Sequence, residues 1–273
     1  MNSEKTTILG GRVHLIQPIG GYRVAIDPVL MAAAVPAMAG QTVLDAGSGT
    51  GAAALCLARR LPDVAVTGLE LQAEMAELAG EGAVATGVAD RVRFVTGDIL
   101  EPPVEVPPDG FDHVMANPPY MEAGKGRTPP DPAKMTATVE GPARLADWVS
   151  FCVSRAKTRG TVTFVHRADR IEHVLAALAG RVGGLTVFPL WPSGTSGGAA
   201  GGAAGGAVGG AVGGAAGGAA GQPARRVLVQ GRKGTQTPSA VAAGLVLHGE
   251  DGGYTDAAAA VLEHAGALDL GVQ

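Results

Sequence analysis

The chain has 273 residues, a length that corresponds to one large domain or two small ones. Its net charge of −4 argues against a general nucleic-acid coat protein, so any nucleic-acid contact requires local basic patches. Residues 1–9 lack an apolar core before a cleavage site, and the uncharged run at 197–221 is too weakly apolar for a membrane span. We therefore expect a cytoplasmic protein that has no membrane partner.

The cysteines and histidines give no metal-binding pattern. Cys56 and Cys152 are far apart, and the six histidines form no H-x-H or H-E-x-x-H cluster. We expect both cysteines to be buried free thiols, because paired cysteines are rare in the cytosol. The sequence predicts no metal site.

The N-terminal segment is polar and mildly basic. Residues 1–23 contain only short apolar pieces, such as Val13–Ile16. Asp27 followed by Pro28 is typical of a helix start, with Asp27 as N-cap and Pro28 at the first helical position. Gly40 is expected to end this helix.

A glycine-rich turn follows the first strong strand pattern. The stretch Thr42–Gly51 is predicted to begin as a short apolar strand that runs into the turn, and Ala52–Arg60 is predicted to be a helix. The segment from Asp45 to Gly51 reads D-A-G-S-G-T-G. Its glycines permit close backbone approach to a ligand and positive φ angles. Free N–H groups at the helix start are expected to favour a polar or anionic ligand group.

The sequence of this turn is compatible with two kinds of ligand. Gly49, Gly51 and Ala54 fit the G-x-G-x-x-A form of a dinucleotide-binding fingerprint. However, Asp45 precedes Gly47 by two positions and would repel a pyrophosphate. That acid suits a ligand with a positively charged amino group and a sulfonium.

The next two strand patterns each end at an acid. Val64–Leu69 is predicted to be a strand that ends at Glu70, a position suited to accept hydrogen bonds from both hydroxyls of a ribose. A helix over Gln72–Ala85 and a strand over Val92–Val95 follow, and Asp98 comes shortly after that strand. Taken alone, Glu70 is typical of a surface acid and Asp98 of a turn.

The sequence Asn117-Pro118-Pro119-Tyr120 follows a buried strand predicted over Phe111–Ala116. Prolines fit a strand end, where no further ladder donor is needed, and they stiffen the backbone. The Asn117 amide oxygen and the Pro118 carbonyl can then converge on one planar amino group, and Tyr120 offers a face for ring stacking. The alternative is a proline-rich turn with a buried tyrosine.

The segment after this motif is predicted to be a loop over 121–139. Its cations Lys125 and Arg127 fit either contacts with phosphates or an ordinary solvated loop. A helix is predicted over 140–158, and the apolar spacing that includes Trp148 indicates core packing rather than cofactor contact.

The C-terminal half continues the alternation of strands and helices. The predicted elements are a strand over Thr161–Val165, a helix over Ile171–Leu178, strands over Leu185–Trp191 and Arg226–Gln230, and a last helix over Ala257–His264 capped by Thr255 or Asp256. Two consecutive strands imply an antiparallel hairpin at a sheet edge. The Gly/Ala repeat at 197–221 lies between them and is expected to be a flexible insertion, because it cannot bury a useful core.

This order of elements resembles class I methyltransferases, as do the glycine turn and the Asn-Pro-Pro-Tyr motif. The resemblance implies an α/β fold: a Rossmann-like, seven-stranded, mostly parallel sheet with an antiparallel edge hairpin and helices on both faces. It also implies one methyltransferase domain over 1–273.

Over nearly the whole chain apart from the Gly/Ala repeat, the sequence resembles bacterial adenine N6-methyltransferases that modify the nucleotide beside the anticodon of a valine tRNA. The similarity includes residues 17–23, 27–31, 225–234, 247–248 and 254–255. It implies that residues 1–40 form an arm that approaches the site, that S-adenosylmethionine is the cofactor, and that tRNA is the partner. The implied cofactor-binding residues are Asp45, Gly47, Ser48, Gly49, Gly51, Glu70, Asp98 and Asn117; the catalytic ones are Asn117, Pro118 and Tyr120; the substrate-binding ones are Tyr120, Lys125 and Arg127.

Three other functions remain as alternatives, the first of which is a methyltransferase acting on amino groups of rRNA or DNA. A protein glutamine methyltransferase presents an amide to the same acceptors, although that family usually carries a helical domain before the glycine turn, where this chain has some 40 residues. The last alternative is a non-catalytic module that binds cofactor or RNA. Such a module would not require Asn117 or the glycine turn, and this chain has both.

Overall fold

The computed structural model describes residues 2–20, 24–119, 142–193 and 222–271. The strands are β1 (Ser3–Ile8), β2 (Val13–Pro18), β3 (Thr42–Ala46), β4 (Ala65–Glu70), β5 (Val92–Thr96), β6 (Phe111–Ala116), β7 (Ala156–Arg167), β8 (Val182–Ser193), β9 (Arg226–Lys233), β10 (Ala240–Val241) and β11 (Leu245–His248). The helices are α1 (Asp27–Ala34), α2 (Ala52–Arg60), α3 (Ala73–Thr86), α4 (Leu145–Arg155), α5 (Ile171–Leu178) and α6 (Asp256–Leu262), with a short 3-10 helix at Ala168–Arg170.

The central sheet is mostly parallel. Seven strands run in the order β8-β9-β7-β6-β3-β4-β5, and β9 is antiparallel to both of its neighbours. The predicted mostly parallel sheet with an antiparallel hairpin is therefore confirmed, but among the described residues the sheet has nine strands rather than the predicted seven. The hairpin is not the outermost part of the sheet, because the short strands β10 and β11 both pair in parallel with β8.

Helices cover both faces of this sheet, as predicted. One apolar cluster joins α1, α2, α3 and α6 to one face, and a second joins α4 and α5 to the other. Adjacent residues Val43 and Leu44 of β3 lie in different clusters, so this strand is buried on both sides. Cys56 and Cys152 are buried free thiols in these layers, as expected.

The N-terminal segment is more ordered than its sequence pattern predicts. β1 and β2 form an antiparallel hairpin in which Ser3 pairs with Pro18, and β2 packs on α3. Side chains of β2 alternate between buried and half-buried, which explains why the apolar pieces are short. The predicted role of this arm in approaching the site stays a prediction.

Two details of α1 correct the sequence interpretation. Its N-cap is Ile26, and Asp27 is the first helical residue, with its carboxylate directed to Arg226 at 2.9 Å instead of capping the helix. The helix ends at Ala34 rather than reaching Gly40, because the following Pro36 disfavours helical geometry at Val35.

Membrane-spanning helices and metal-binding clusters were sought in the described ranges alone. None of the helices there is long and apolar enough to cross a membrane. Within the same ranges, His, Cys, Asp and Glu side chains form no group of three or more that would hold a metal ion.

Candidate active site

The glycine loop, residues 47–51, is fastened to the end of β4 by its own backbone. The N–H groups of Gly47 and Ser48 both donate to the Leu69 carbonyl, at 2.8 and 3.0 Å, and the Gly51 N–H donates to the Ser48 carbonyl at 2.8 Å. The Gly49 N–H donates to Glu70 Oε2 at 2.8 Å. The expectation of free N–H groups at the helix start was thus wrong for Gly51, and a pyrophosphate would find the donors of all four residues already used.

The three loop glycines serve different purposes. A Cβ on Gly47 would lie 2.5 Å from the Trp148 ring, and one on Gly51 would lie 2.7 Å from the Phe94 ring. Both glycines are therefore required by protein packing, as well as by their positive φ angles of 70° and 82°. A Cβ on Gly49 would meet nothing within 4 Å among the described atoms, so the open space adjoins the middle of the loop.

Glu70 is buried at the carboxyl end of β4, with 7% of its surface exposed. Its Oε2 accepts from the Gly49 N–H, and its Oε1 accepts from the Gln72 N–H at 3.0 Å. Each carboxylate oxygen can accept two hydrogen bonds, so each retains one acceptor position. This carboxylate is held in place and is still able to accept two adjacent hydroxyls.

Asp45 lies beneath the loop, with 2% of its surface exposed. Its Oδ2 accepts from the Ala54 N–H at 3.1 Å and so fixes the first turn of α2. Burial raises the pKa of Asp45 to about 7, against the lowering effect of the Ala54 hydrogen bond, and the charge of Glu70 raises it further. A positive ligand group nearby would favour its ionised form.

Asp98 lies at the same edge, after β5. The Gly97 N–H donates to the Glu70 carbonyl at 2.9 Å, which ties the two segments together. The Asp98 side chain is half-buried and accepts from the Leu100 N–H at 2.9 Å, an Asx-turn geometry that also leaves acceptor positions.

The Asn-Pro-Pro segment leaves the sheet beside the glycine loop. Ala116 at the end of β6 pairs with Ala46 at the end of β3, so Asn117 and Gly47 follow from neighbouring positions. Asn117 is half-buried and Pro118 is buried. Three further predicted site residues lie outside the described residues: Tyr120, Lys125 and Arg127.

Trp148, which the sequence interpretation assigned to the core, also lies against the glycine loop. It lies on α4 and is partly buried against the apolar cluster, but its ring also covers Gly47. Helical spacing revealed only that this face of α4 is apolar. No local pattern indicates that the ring reaches a glycine about 100 residues earlier in the chain.

These features fit S-adenosylmethionine better than a dinucleotide. Open space adjoins Gly49 and two oriented carboxylates, Asp45 and Glu70, lie beside the loop, while four of its five N–H donors are occupied. Spare acceptors suit the hydroxyls of a ribose and a positively charged amino group. They do not suit two phosphates.

Comparison with known proteins gives the class first. Residues 43–128 match a family model described as a methyltransferase domain. The structure superposes on that of a predicted O-methyltransferase from Agrobacterium tumefaciens with a TM-score of 0.68 and 22% identity, over 90% of this chain and 100% of the other, which supports the fold alone. The chain therefore carries a class I methyltransferase domain, whose cofactor is S-adenosylmethionine.

Two relatives are more specific. A tRNA1(Val) (adenine(37)-N6)-methyltransferase of Porphyromonas gingivalis is 32% identical over 156 residues, which is 55% of this chain and 60% of the relative. A release factor glutamine methyltransferase of Chlorobaculum tepidum is 38% identical over 88 residues, 32% of this chain and 30% of the relative. The chain thus spans less than two thirds of the length of either protein.

Proposed function

We propose that the domain transfers a methyl group to the exocyclic N6 amino group of an adenine in tRNA, near the anticodon of a valine tRNA. The observation that carries this proposal is the pairing of Ala46 with Ala116, because it starts the glycine loop and Asn117 side by side. A cofactor held at Gly49 and Glu70 is then adjacent to an amino-group acceptor. The relative from Porphyromonas gingivalis supports tRNA as the substrate.

In this proposal, the loop end of the site holds the cofactor. Glu70 accepts hydrogen bonds from the ribose hydroxyls, and Asp98 accepts one from the adenine amino group. Asp45 provides negative charge near the amino group of the methionine part. When bound, S-adenosylmethionine supplies an electrophilic methyl group on a sulfonium. Trp148 closes the loop at Gly47 and excludes water from that side.

Asn117 and Pro118 act on the substrate amine. An exocyclic amine is a poor nucleophile because its lone pair is delocalised into the ring. Two acceptors, the Asn117 amide oxygen and the Pro118 carbonyl, hold both N–H groups and stabilise the positive charge that develops on nitrogen. The rigid Pro118-Pro119 backbone keeps these acceptors in position, which supplies the orientational part of the rate. The target base leaves its stack, and Tyr120 provides the replacement stacking face.

A protein glutamine is the second candidate substrate. Its side-chain amide also carries two N–H groups, and the glutamine methyltransferase relative has the higher identity, over a shorter stretch. One experiment separates the two candidates. Labelled methyl groups are offered with unmodified tRNA, rRNA and protein pools in separate reactions, and the products are hydrolysed and identified.

We expect the label in N6-methyladenosine from tRNA. An Asn117→Ala variant serves as the control for methylation by a contaminating enzyme. Label in glutamine of the protein pool would select the second candidate, and label in no pool would contradict both.

A further inference from the structure

Gln17 is a buried polar residue that the site described above does not use. It lies on β2 of the N-terminal hairpin, with 5% of its surface exposed. Its Oε1 accepts a hydrogen bond from the Thr6 hydroxyl at 3.0 Å. Among the described residues, its Nε2 has no hydrogen-bond partner. Buried donors are nearly always paired in native proteins, so this exception requires an explanation.

The side chain of Gln17 enters the layer between β2 and α2. Side chains along a strand alternate between its two faces, so Gln17 shares a face with Val13 and Leu15. Both of those residues are fully buried and belong to the apolar cluster that contains α2. The amide of Gln17 is therefore directed inward, toward this helix.

The strand β2 runs antiparallel to α2, from the end of the helix toward its start. Leu9, in the turn before β2, lines a small cavity together with Arg60, the last residue of α2. Near the middle of the helix, a Cβ on Gly82 would lie 3.1 Å from Leu55 Cδ1 and 3.9 Å from the Ile16 nitrogen. The unpaired glutamine follows Ile16 immediately, so it lies about 3.3 Å further toward the first turn of α2.

The first turn of α2 also has unused donors. The first N–H groups of a helix have no acceptor within the helix. The Ala54 N–H donates to Asp45, but among the described residues the N–H groups of Ala52 and Ala53 make no hydrogen bond. Both alanines are buried. Because α2 starts directly after the glycine loop, these donors lie at the cofactor end of the site.

The cofactor has one charged group for which the residues described above provide no partner. Asp45 and Glu70 are acceptors, which suit an amino group and the hydroxyls of a ribose. The carboxylate of the methionine part is an anion and requires donors. Four of the five N–H groups of the glycine loop are already used within the protein.

We propose that Gln17 donates through Nε2 to this carboxylate, together with the N–H groups of Ala52 and Ala53. The N-terminal hairpin then contributes a cofactor-binding residue to the site. The Thr6 hydroxyl orients the amide, and the partial positive charge at the start of α2 adds to the attraction. The proposal rests on the cofactor of the function proposed above, and it is independent of the substrate.

Decarboxylated S-adenosylmethionine lacks only this carboxylate and makes the test specific. Calorimetry measures the dissociation constants of S-adenosylmethionine and of this analogue for the parent protein and three variants. Gln17→Met removes the donor, and Gln17→Glu keeps the shape but replaces the donor with a negative charge. Gln41→Met is the matched control, because Gln41 is a half-buried glutamine before β3, at the opposite end of the strands.

We expect Gln17→Met to weaken the binding of S-adenosylmethionine about tenfold and to leave that of the analogue within about twofold. Gln17→Glu is expected to weaken S-adenosylmethionine binding further, because its charge repels the carboxylate. Gln41→Met is expected to leave the affinity for both ligands unchanged. The melting temperature of each variant separates a loss of folded protein from a loss of affinity.

Equal losses for both ligands in Gln17→Met, or parent-like affinities in that variant, would overturn the proposal. Unchanged or tighter binding of S-adenosylmethionine by Gln17→Glu would overturn it too, because the amide would then accept from the cofactor instead of donating to it. The product assay on the parent protein judges the substrate separately. Label outside tRNA adenine would contradict the proposed function and leave the role of Gln17 standing.

Discussion

Two polar clusters lie at opposite ends of the same strands, β3 and β6. At the amino ends, Asp112 accepts from the Thr42 N–H and hydroxyl, both at 2.9 Å, and from Lys157 at 2.9 Å. His113 bonds to Thr161 and Gln41 through its two ring nitrogens, at 2.7 and 2.9 Å. The hydrogen-bonding positions of these side chains are almost all used by one another. We call Asp112, His113 and these hydrogen-bond partners the saturated cluster.

At the carboxyl ends, the acceptors are oriented but not filled. Among the described residues, one hydrogen bond reaches Asp45 and one reaches each oxygen of Glu70, all from backbone N–H groups. A carboxylate has about four acceptor positions, so capacity remains for a ligand. We call Asp45 and Glu70 the open cluster, beside which Asn117 follows the end of β6.

The comparison teaches that unused hydrogen-bonding capacity distinguishes a site from a structural network. Both clusters contain buried carboxyl or histidine side chains, so burial and polarity do not separate them. In parallel sheets ligands bind beyond the carboxyl ends of strands, which is also where the open cluster lies. Changes in the open cluster should therefore alter binding and rate, and changes in the saturated cluster should alter stability.

The largest effect is expected for Asn117→Ala. Loss of one pre-organised polar group costs about 2.7–4 kcal/mol of transition-state stabilisation, or roughly a 100- to 1,000-fold slower rate. Cofactor affinity should stay nearly unchanged, because that ligand is held by the loop and Glu70. Single-turnover kinetics measure the rate of methyl transfer, and calorimetry measures the cofactor affinity. A near-normal rate in this variant would show that the amine is not held by Asn117.

The second effect is a loss of cofactor affinity in Glu70→Ala. Removing a charged acceptor should weaken S-adenosylmethionine binding by on the order of 1–3 kcal/mol, measured by calorimetry. The Gly49 N–H also loses its partner, so Glu70→Gln is the matched control because it keeps an acceptor oxygen there. An unchanged dissociation constant in Glu70→Ala argues against ribose recognition by this carboxylate.

The third effect is a pH dependence from Asp45, whose pKa burial raises to about 7. Because the folded pKa lies above the unfolded value, the stabilising effect of its neutral form is present at low pH and is lost as pH rises through 7. Cofactor binding changes in the opposite direction, because a positive ligand favours the ionised form: affinity should fall up to about tenfold per pH unit below 7. Asp45→Asn should flatten both profiles. A parent profile that is flat between pH 6 and 8 contradicts the assignment.

The smallest effect is expected from the saturated cluster. Burial alone would raise the pKa of Asp112, but its bonds from Thr42 and Lys157 outweigh this and lower it. Asp112→Ala should therefore cost about 1–3 kcal/mol of unfolding free energy at neutral pH, with cofactor affinity unchanged. The folded pKa is depressed, so this contribution is lost as pH falls below about 4. Denaturant unfolding at pH 7 and 3.5 measures it. If Asp112→Ala lost cofactor affinity but kept its stability, the saturated cluster would not be purely structural, and the two clusters would not differ in the way described here.

Much of the fold and part of the site follow from local patterns. The bounds of α2 and β6 agree with the predicted ones, because strand alternation, glycine turns and helix starts are short-range features. The acid at the end of β4 and the Asn-Pro-Pro segment after β6 are also visible in the sequence. Their predicted roles in binding and catalysis stay predictions.

Contacts between distant segments were not predictable in this way. Asp27 looks like a helix cap, but it binds Arg226, which lies 199 residues away in the chain. Trp148 looks like a core residue, but it also fills the space beside Gly47. Both glycines at the ends of the loop look like ligand-contact positions, whereas their neighbours are aromatic rings of the protein.

The sequence by itself determined the order of strands and helices, the glycine loop and the residues that end each strand, because these depend on backbone preferences over a few residues. Only the tertiary structure decided which acceptors remain open, that β10 and β11 extend the sheet beyond the hairpin, and that Asp27 binds Arg226. The physical reason is that hydrogen-bond saturation and strand pairing depend on partners far apart in the chain, which no local pattern specifies.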